Sequence, residues 1–102
     1  MLELRPNCEC CDKDLPPDSM EAYICSYECT FCRSCVDTQL NNVCPNCGGG
    51  FCARPVRPKA EHRAGVGLQS HPASTQRVHT QYSAFELSDF SESIKSIKPE
   101  NR

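Results

Sequence analysis

The sequence predicts a small metal-stabilised α+β module over residues 1–52, followed by a largely disordered tail. Three observations carry this expectation. Ten of the 102 residues are cysteine, and all ten fall between Cys8 and Cys52. The same half holds few large apolar side chains: Leu2, Leu4, Leu15, Met20, Tyr23, Ile24, Tyr27, Phe31, Val36, Leu40, Val43 and Phe51. A domain of about 50 residues with so few buries too little surface to fold without disulfides or metal. Beyond Cys52 the composition shifts. Residues 53–80, "ARPVRPKAEHRAGVGLQSHPASTQRVHT", carry Pro55, Pro58, Pro72, Gly65 and Gly67 and almost nothing large and apolar, which is linker composition.

The choice between disulfide and metal depends on compartment. "MLELRPNCEC" has no basic segment leading into an apolar run, so no export signal is expected and the protein is placed in the cytoplasm. No stretch approaches the ~18 apolar residues of a membrane span. Cytosolic thiols stay reduced, so this cysteine density points to metal rather than to disulfides.

Charge is unevenly shared. Residues 1–52 carry eight acids and three bases, whereas residues 53–102 carry eight bases and five acids. Zinc held by four thiolates adds about two further negative charges per site. The module is therefore expected to be anionic and a poor ligand for phosphates. In the linker, Arg54, Arg57, Lys59, Arg63 and Arg77 face only Glu61. They define a weaker alternative, a nucleic-acid-associated protein that uses the basic linker. No aromatic residue is interleaved there for base stacking, so a solvated charged linker is the simpler reading.

The cysteines are spaced Cys8-x2-Cys11-x13-Cys25-x3-Cys29-x2-Cys32-x2-Cys35-x8-Cys44-x2-Cys47. A C-x2-C turn lets two sulfurs reach one tetrahedral ion at ~2.3 Å. In "CPNCGG", Pro45 stiffens the turn and Gly48 permits the positive φ by which the chain leaves it. "CECCDK" at Cys8–Cys11 is a less ideal version. Eight cysteines in four pairs make two zinc sites, or one if the pairs are differently shared. Sequential grouping would put Cys25, Cys29, Cys32 and Cys35 on a single ion. An iron–sulfur cluster is a rival for "CSYECTFC" and "CTFCRSC". The chain lacks the barrel that a radical enzyme would need, and "CTFCRSC" lacks the following x3-Cys-Pro. Thiol redox chemistry at a C-x2-C would need a βαβ setting that is not visible.

The order of these pairs resembles the RING-type cross-brace, a treble-clef zinc module, with Phe31 where RING domains place an aromatic. The resemblance implies that Cys8, Cys11, Cys32 and Cys35 hold one zinc and that Cys25, Cys29, Cys44 and Cys47 hold the other. It also implies a short hairpin and one short helix. The helix is expected after Cys35, with Val36 and Leu40 as its buried i, i+4 pair and Asn41 and Asn42 ending it. The ubiquitin-ligase role of RING domains does not carry over. Glu9 and Cys10 occupy the first knuckle where an apolar residue is usual, there is no Trp, Gly48 replaces the usual base, and only Pro45 matches. "MLELRPNCECCDKDLPPDS" together with "CTFCRSCVDTQLNNVCPNCGGGF" resembles the small bacterial domain-of-unknown-function family twelve seventy-two over roughly residues 1–58. That resemblance implies a bacterial, cytosolic zinc-binding protein and brings no activity with it.

Cys10 and Cys52 stand outside the frame. They are expected to pack as small apolar side chains beside the sites, or else to form the oxidisable element of a zinc or redox sensor. His62, His71 and His79 are expected to be solvated. No catalytic constellation accompanies the cysteines, and Glu28 and the adjacent acids are expected on a solvated face. The chain therefore reads as a non-catalytic module with structural zinc and an unknown protein partner, with neither membrane nor small-molecule substrate. In residues 81–102, Tyr82, Phe85, Phe90, Ile94 and Ile97 fall roughly on one helical face. Ser83 and Glu86 have capping-box spacing, and Pro99 marks a stop. A short amphipathic helix is expected there, packed on the module or docking on a partner.

Overall fold

The computed structural model describes residues 1–102. Strands β1 (Ala22–Ile24) and β2 (Thr30–Cys32) form an antiparallel hairpin in which Tyr23 pairs with Phe31. β3 (Cys52–Ala53) adds to the other edge of β1, giving the antiparallel order β2-β1-β3. The short hairpin is as expected. Its loop holds Cys25 and Cys29, and Glu28 turns it with a φ of 66°.

Helix α1 spans Arg33–Thr38, with Cys32 as its N-cap. The expectation of a helix starting after Cys35 is corrected here. The chain turns helical directly off β2, so Cys35 lies within the helix. Val36 and Leu40 are both buried as foreseen. Asn41 and Asn42 stop the helix by taking φ of 49° and 59°, a left-handed region that Asn tolerates better than most residues.

The core is unusual in composition. Of its 12 clustered buried residues, six are cysteines: Cys8, Cys25, Cys29, Cys32, Cys35 and Cys44. Leu15, Ala22, Phe31, Val36, Leu40 and Leu87 supply the rest. Phe31 meets Phe51 edge to face, with centroids 5.3 Å apart and planes at 70°. Half of this cluster is thus cysteine, whose packing value is small beside its capacity to bind metal.

The expected disordered tail is not what the structure shows. Residues 53–80 lie along the module, attached mainly by backbone carbonyls and arginines. Arg54 is 4% exposed and donates to the carbonyls of Arg5 (2.8 Å), Pro16 (3.0 Å) and Leu15 (3.4 Å). Arg57 donates to the carbonyls of His71 (2.7 Å) and Leu2 (2.6 Å). Arg77 is held by Asp12 and Asp14 at 3.0 and 2.7 Å. The amides of Ser74 and Thr80 donate to the carbonyls of Leu4 and Glu9. Composition pointed to disorder because it counts apolar side chains. Here long cations spanning several carbonyls take their place.

Helix α2 (Ala84–Ile94) begins with the expected capping box, in which Ser83 and Glu86 satisfy each other's backbone amides. It packs on the module through a face only partly the one predicted: Phe90 and Ile94 stand against Gly48, with Ile94 half-buried. Leu87 and Ser91 are buried, and the Ser91 hydroxyl donates to the Leu40 carbonyl at 3.0 Å while accepting from Asn41 at 2.9 Å. Tyr82, Phe85 and Phe90 are exposed. A 3-10 turn at Pro99–Asn101 follows, and Arg102 donates to the Asn42 carbonyl at 2.6 Å.

Candidate metal centres

Two turns of the same construction present the C-x2-C pairs. In the second, the Cys44 amide donates to the Gly49 carbonyl (2.8 Å) and the Gly48 amide to the Cys44 carbonyl (2.7 Å), with Gly48 at φ 79°. In the first, the Cys8 amide donates to the Lys13 carbonyl (2.8 Å) and the Asp12 amide to the Cys8 carbonyl (2.9 Å), with Asp12 at φ 64°. Asp12 therefore fills the position after the pair that Gly48 fills in its counterpart. Backbone amides point at sulfur throughout: Cys11 at Cys8 (3.5 Å), Tyr27 at Cys25 (3.3 Å) and Gly49 at Cys47 (3.4 Å). Amides so placed stabilise thiolate rather than thiol.

The fold gathers the sulfurs into two groups. Cys8, Cys11, Cys32 and Cys35 have their Sγ atoms within 4.8 Å of one another, and so do Cys25, Cys44 and Cys47. The first and third cysteine pairs thus meet, and the second meets the fourth. The sequential grouping of Cys25, Cys29, Cys32 and Cys35 is not formed. Cys29, itself buried, stands at the margin of the second group, more than 4.8 Å from at least one of its sulfurs. Four thiolates around zinc at ~2.3 Å stand about 3.8 Å apart. The Cys11 and Cys32 sulfurs are 3.8 Å apart, the length of one edge of such a site.

Crowding makes the sulfurs electrostatically incompatible without a cation. Burial pushes the Cys8 and Cys25 thiols up to about 11. Burial, followed by the neighbouring Cys8, raises Cys35 as well. Cys44 is raised because its thiol donates to Cys29, and the same bond pulls Cys29 down to about 5 against the effect of its burial. One thiolate is tolerated only because neighbouring thiols stay protonated. A divalent ion removes that conflict and lets all four ionise. The all-sulfur donor set suits zinc or iron–sulfur among the common ions.

A residue that the sequence did not reveal ties the groups together. Glu9 was expected on a solvated face but is 3% exposed. Its carboxylate accepts from the Thr30 amide (2.7 Å), from Arg5 (2.8 Å) and from the Asn46 amide side chain (3.4 Å). Asn46 also helps pull the Cys29 thiol down. Glu9 sits inside the first knuckle, Thr30 between Cys29 and Cys32, and Asn46 inside the second knuckle, so one carboxylate braces all three cysteine segments. Burial alone would lower the Arg5 pKa, but its bonds to Glu3 and Glu9 raise it. Its position between two ligands of a C-x2-C is the only sequence signal that could have singled Glu9 out. Glu28 is half-buried, and its carboxylate accepts from the Glu3 amide.

Cys10 is half-buried and packs against the core cluster that holds Cys8, Cys32 and Cys35, beside the first group as expected. Cys52 is exposed on β3, where it pairs with Ile24 beside Cys25, and belongs to neither group. His62, His71 and His79 belong to neither group. Of the five linker cations, Arg54, Arg57 and Arg77 are spent on internal bonds, leaving Lys59 and Arg63 exposed.

Comparison with known proteins fits this cysteine frame. Residues 1–57 match the family described as "Protein of unknown function (DUF1272)". An uncharacterised protein of Rhizobium meliloti (strain 1021) is 59% identical over 78 residues, covering 76% of this chain and 86% of the relative. The family match accounts for at most 57 of those 78 residues, so the likeness runs on into the tail. No solved structure matches the chain. The chain belongs to the family of unknown function that matches its first 57 residues.

Proposed function

We propose that this family member is a non-catalytic zinc module, with two structural zinc ions, that presents a surface to another protein in the cytoplasm. Cys8, Cys11, Cys32 and Cys35 would hold one ion. Cys25, Cys44 and Cys47 would hold the other, with Cys29 moving in as the fourth ligand. This is a RING-like, treble-clef cross-brace. The observation that carries the reading is the interleaved gathering of sulfurs from three separate segments, each met by backbone amides. Four-thiolate sites leave no place for water or substrate, so zinc bound there would support the fold rather than a reaction. With half the core cluster made of cysteine, metal binding and folding would be one event. Clustered thiols of this kind belong in a reducing compartment.

Native mass spectrometry of the purified protein tests the stoichiometry, with two zincs and a colourless solution expected. Chelation should abolish the circular dichroism signal of residues 1–52. A spectrum unchanged after complete zinc removal refutes the reading. The packing of the half-buried Cys10 against the core cluster that holds Cys8, Cys32 and Cys35 favours a second one, a redox-responsive zinc site. Peroxide would then release one zinc per chain at doses that leave the other bound, and Cys10→Ser would suppress that release. Zinc release only at denaturing doses refutes it.

A further inference from the structure

Helix α2 uses one face to pack on the module, through Leu87 and Ser91, and turns three aromatic side chains outward. Phe85 is 77% exposed, Tyr82 46% and Phe90 37%. Together with Pro45 of the second knuckle they line a groove of about 300 Å³. The other lining residues include Glu86 and Asp89, and no Lys or Arg lines it. The Glu86 carboxylate is already bonded to the Ser83 amide, and Lys95 is drawn to Glu92. Asp89, the other acid of the groove, makes neither an ion pair nor a side-chain hydrogen bond. Pro45 lies between the thiols of Cys44 and Cys47, so zinc bound by the second group would add negative charge beside the groove.

We propose that this groove binds an arginine- or lysine-bearing segment of a partner protein, the cationic head held by Asp89 and the aromatic faces and its apolar stem laid along Phe85 and Tyr82. Aromatic faces attract a cation through their quadrupole, and guanidinium does so best because it is weakly hydrated and planar. The long side chains of Arg and Lys carry an apolar stem that covers ring surface while the head reaches a carboxylate. A purely apolar occupant would bury Asp89 unpaired at a cost, so the charge lining the groove selects a basic occupant. The inference rests on the proposed role as an interaction module and names its partner's chemistry.

The test is fluorescence anisotropy of the zinc-loaded full chain with a fluorescein-labelled peptide of alternating arginine and glycine. The same peptide with citrulline in place of arginine is the uncharged control. The arginine peptide should bind, and added salt should weaken it. The citrulline peptide should bind roughly tenfold more weakly. Phe85→Ala should weaken binding roughly three- to tenfold, and Asp89→Asn about two- to fivefold. Asp18→Asn, at an exposed acid in another part of the chain, should leave it unchanged. Both groove positions are exposed, so each variant should keep its two zincs by native mass spectrometry. Equal binding of the two peptides overturns the proposal, as does an Asp18→Asn effect as large as that of Asp89→Asn. A self-associated dimer that Phe85→Ala dissolves also overturns it, because a second copy then fills the groove. In each of these cases retained zinc and retained fold leave the parent reading standing. A metal-free protein that keeps its fold would sink that reading instead.

Discussion

Removing the Glu9 carboxylate is the sharpest perturbation the structure offers, because it leaves every cysteine in place. In Glu9→Ala the Thr30 amide, buried between Cys29 and Cys32, loses its acceptor. An unsatisfied buried donor costs about 1–3 kcal/mol. Arg5 keeps Glu3 at 2.6 Å and is partly solvated, so losing its second carboxylate adds up to about 1 kcal/mol. Asn46 is exposed and its bond is long at 3.4 Å, so water replaces it at little cost. The sum is about 1–4 kcal/mol. Glu9→Gln keeps the shape and one acceptor oxygen, and loses mainly the charge-assisted part of two bonds, about 1–2 kcal/mol. The assay is urea unfolding followed by circular dichroism, with free zinc held constant by a metal buffer because apparent stability rises with free metal. Native mass spectrometry run in parallel should show two zincs in both variants. A Glu9→Ala protein within about 0.5 kcal/mol of the parent would refute the claim that this carboxylate braces the three segments.

Arg54→Ala removes the guanidinium that spans the carbonyls of Arg5, Leu15 and Pro16. It also relieves the burial of a cation whose Nε has no partner, so the net loss should be about 1–3 kcal/mol. The attached segment should loosen with it, and trypsin should cut between Arg57 and Arg63 sooner than in the parent. An unchanged digestion rate would show that Arg54 does not hold the segment. Leu87→Ala empties the one large apolar side chain that α2 sinks into the core and should cost about 2–3 kcal/mol in the same urea assay. Phe85→Ala on the opposite face should cost less than about 0.5 kcal/mol. Equal effects at the two positions would mean that the packing face is misassigned.

The cysteine spacings made the module legible because a sulfur frame needs few residues and fixed separations. The two knuckles, the hairpin, the role of Asn41 and Asn42 and the Ser83–Glu86 box all follow from local chemistry. What was not legible depends on groups that meet only in three dimensions. Glu9 looks solvated in the sequence because carboxylates usually are, and only the convergence of Thr30, Arg5 and Asn46 accounts for its burial. Arg54, Arg57 and Arg77 read as loose linker charge because nothing local shows which carbonyls they will find. On α2, the aromatic residues dominated the periodicity, whereas the buried face is set by Leu87 and a small serine that admits close approach to Leu40. The place of Cys29 at the margin of the second sulfur group is likewise a matter of hairpin-loop geometry rather than spacing.

In each sulfur group one thiol, Cys11 or Cys47 of the C-x2-C pair, opens to solvent while the others, three in the first group and two in the second, are buried. On the proposed reading, an incoming zinc ion would meet Cys11 or Cys47 first, with the enclosed sulfurs behind, and would leave past the same two outward thiols.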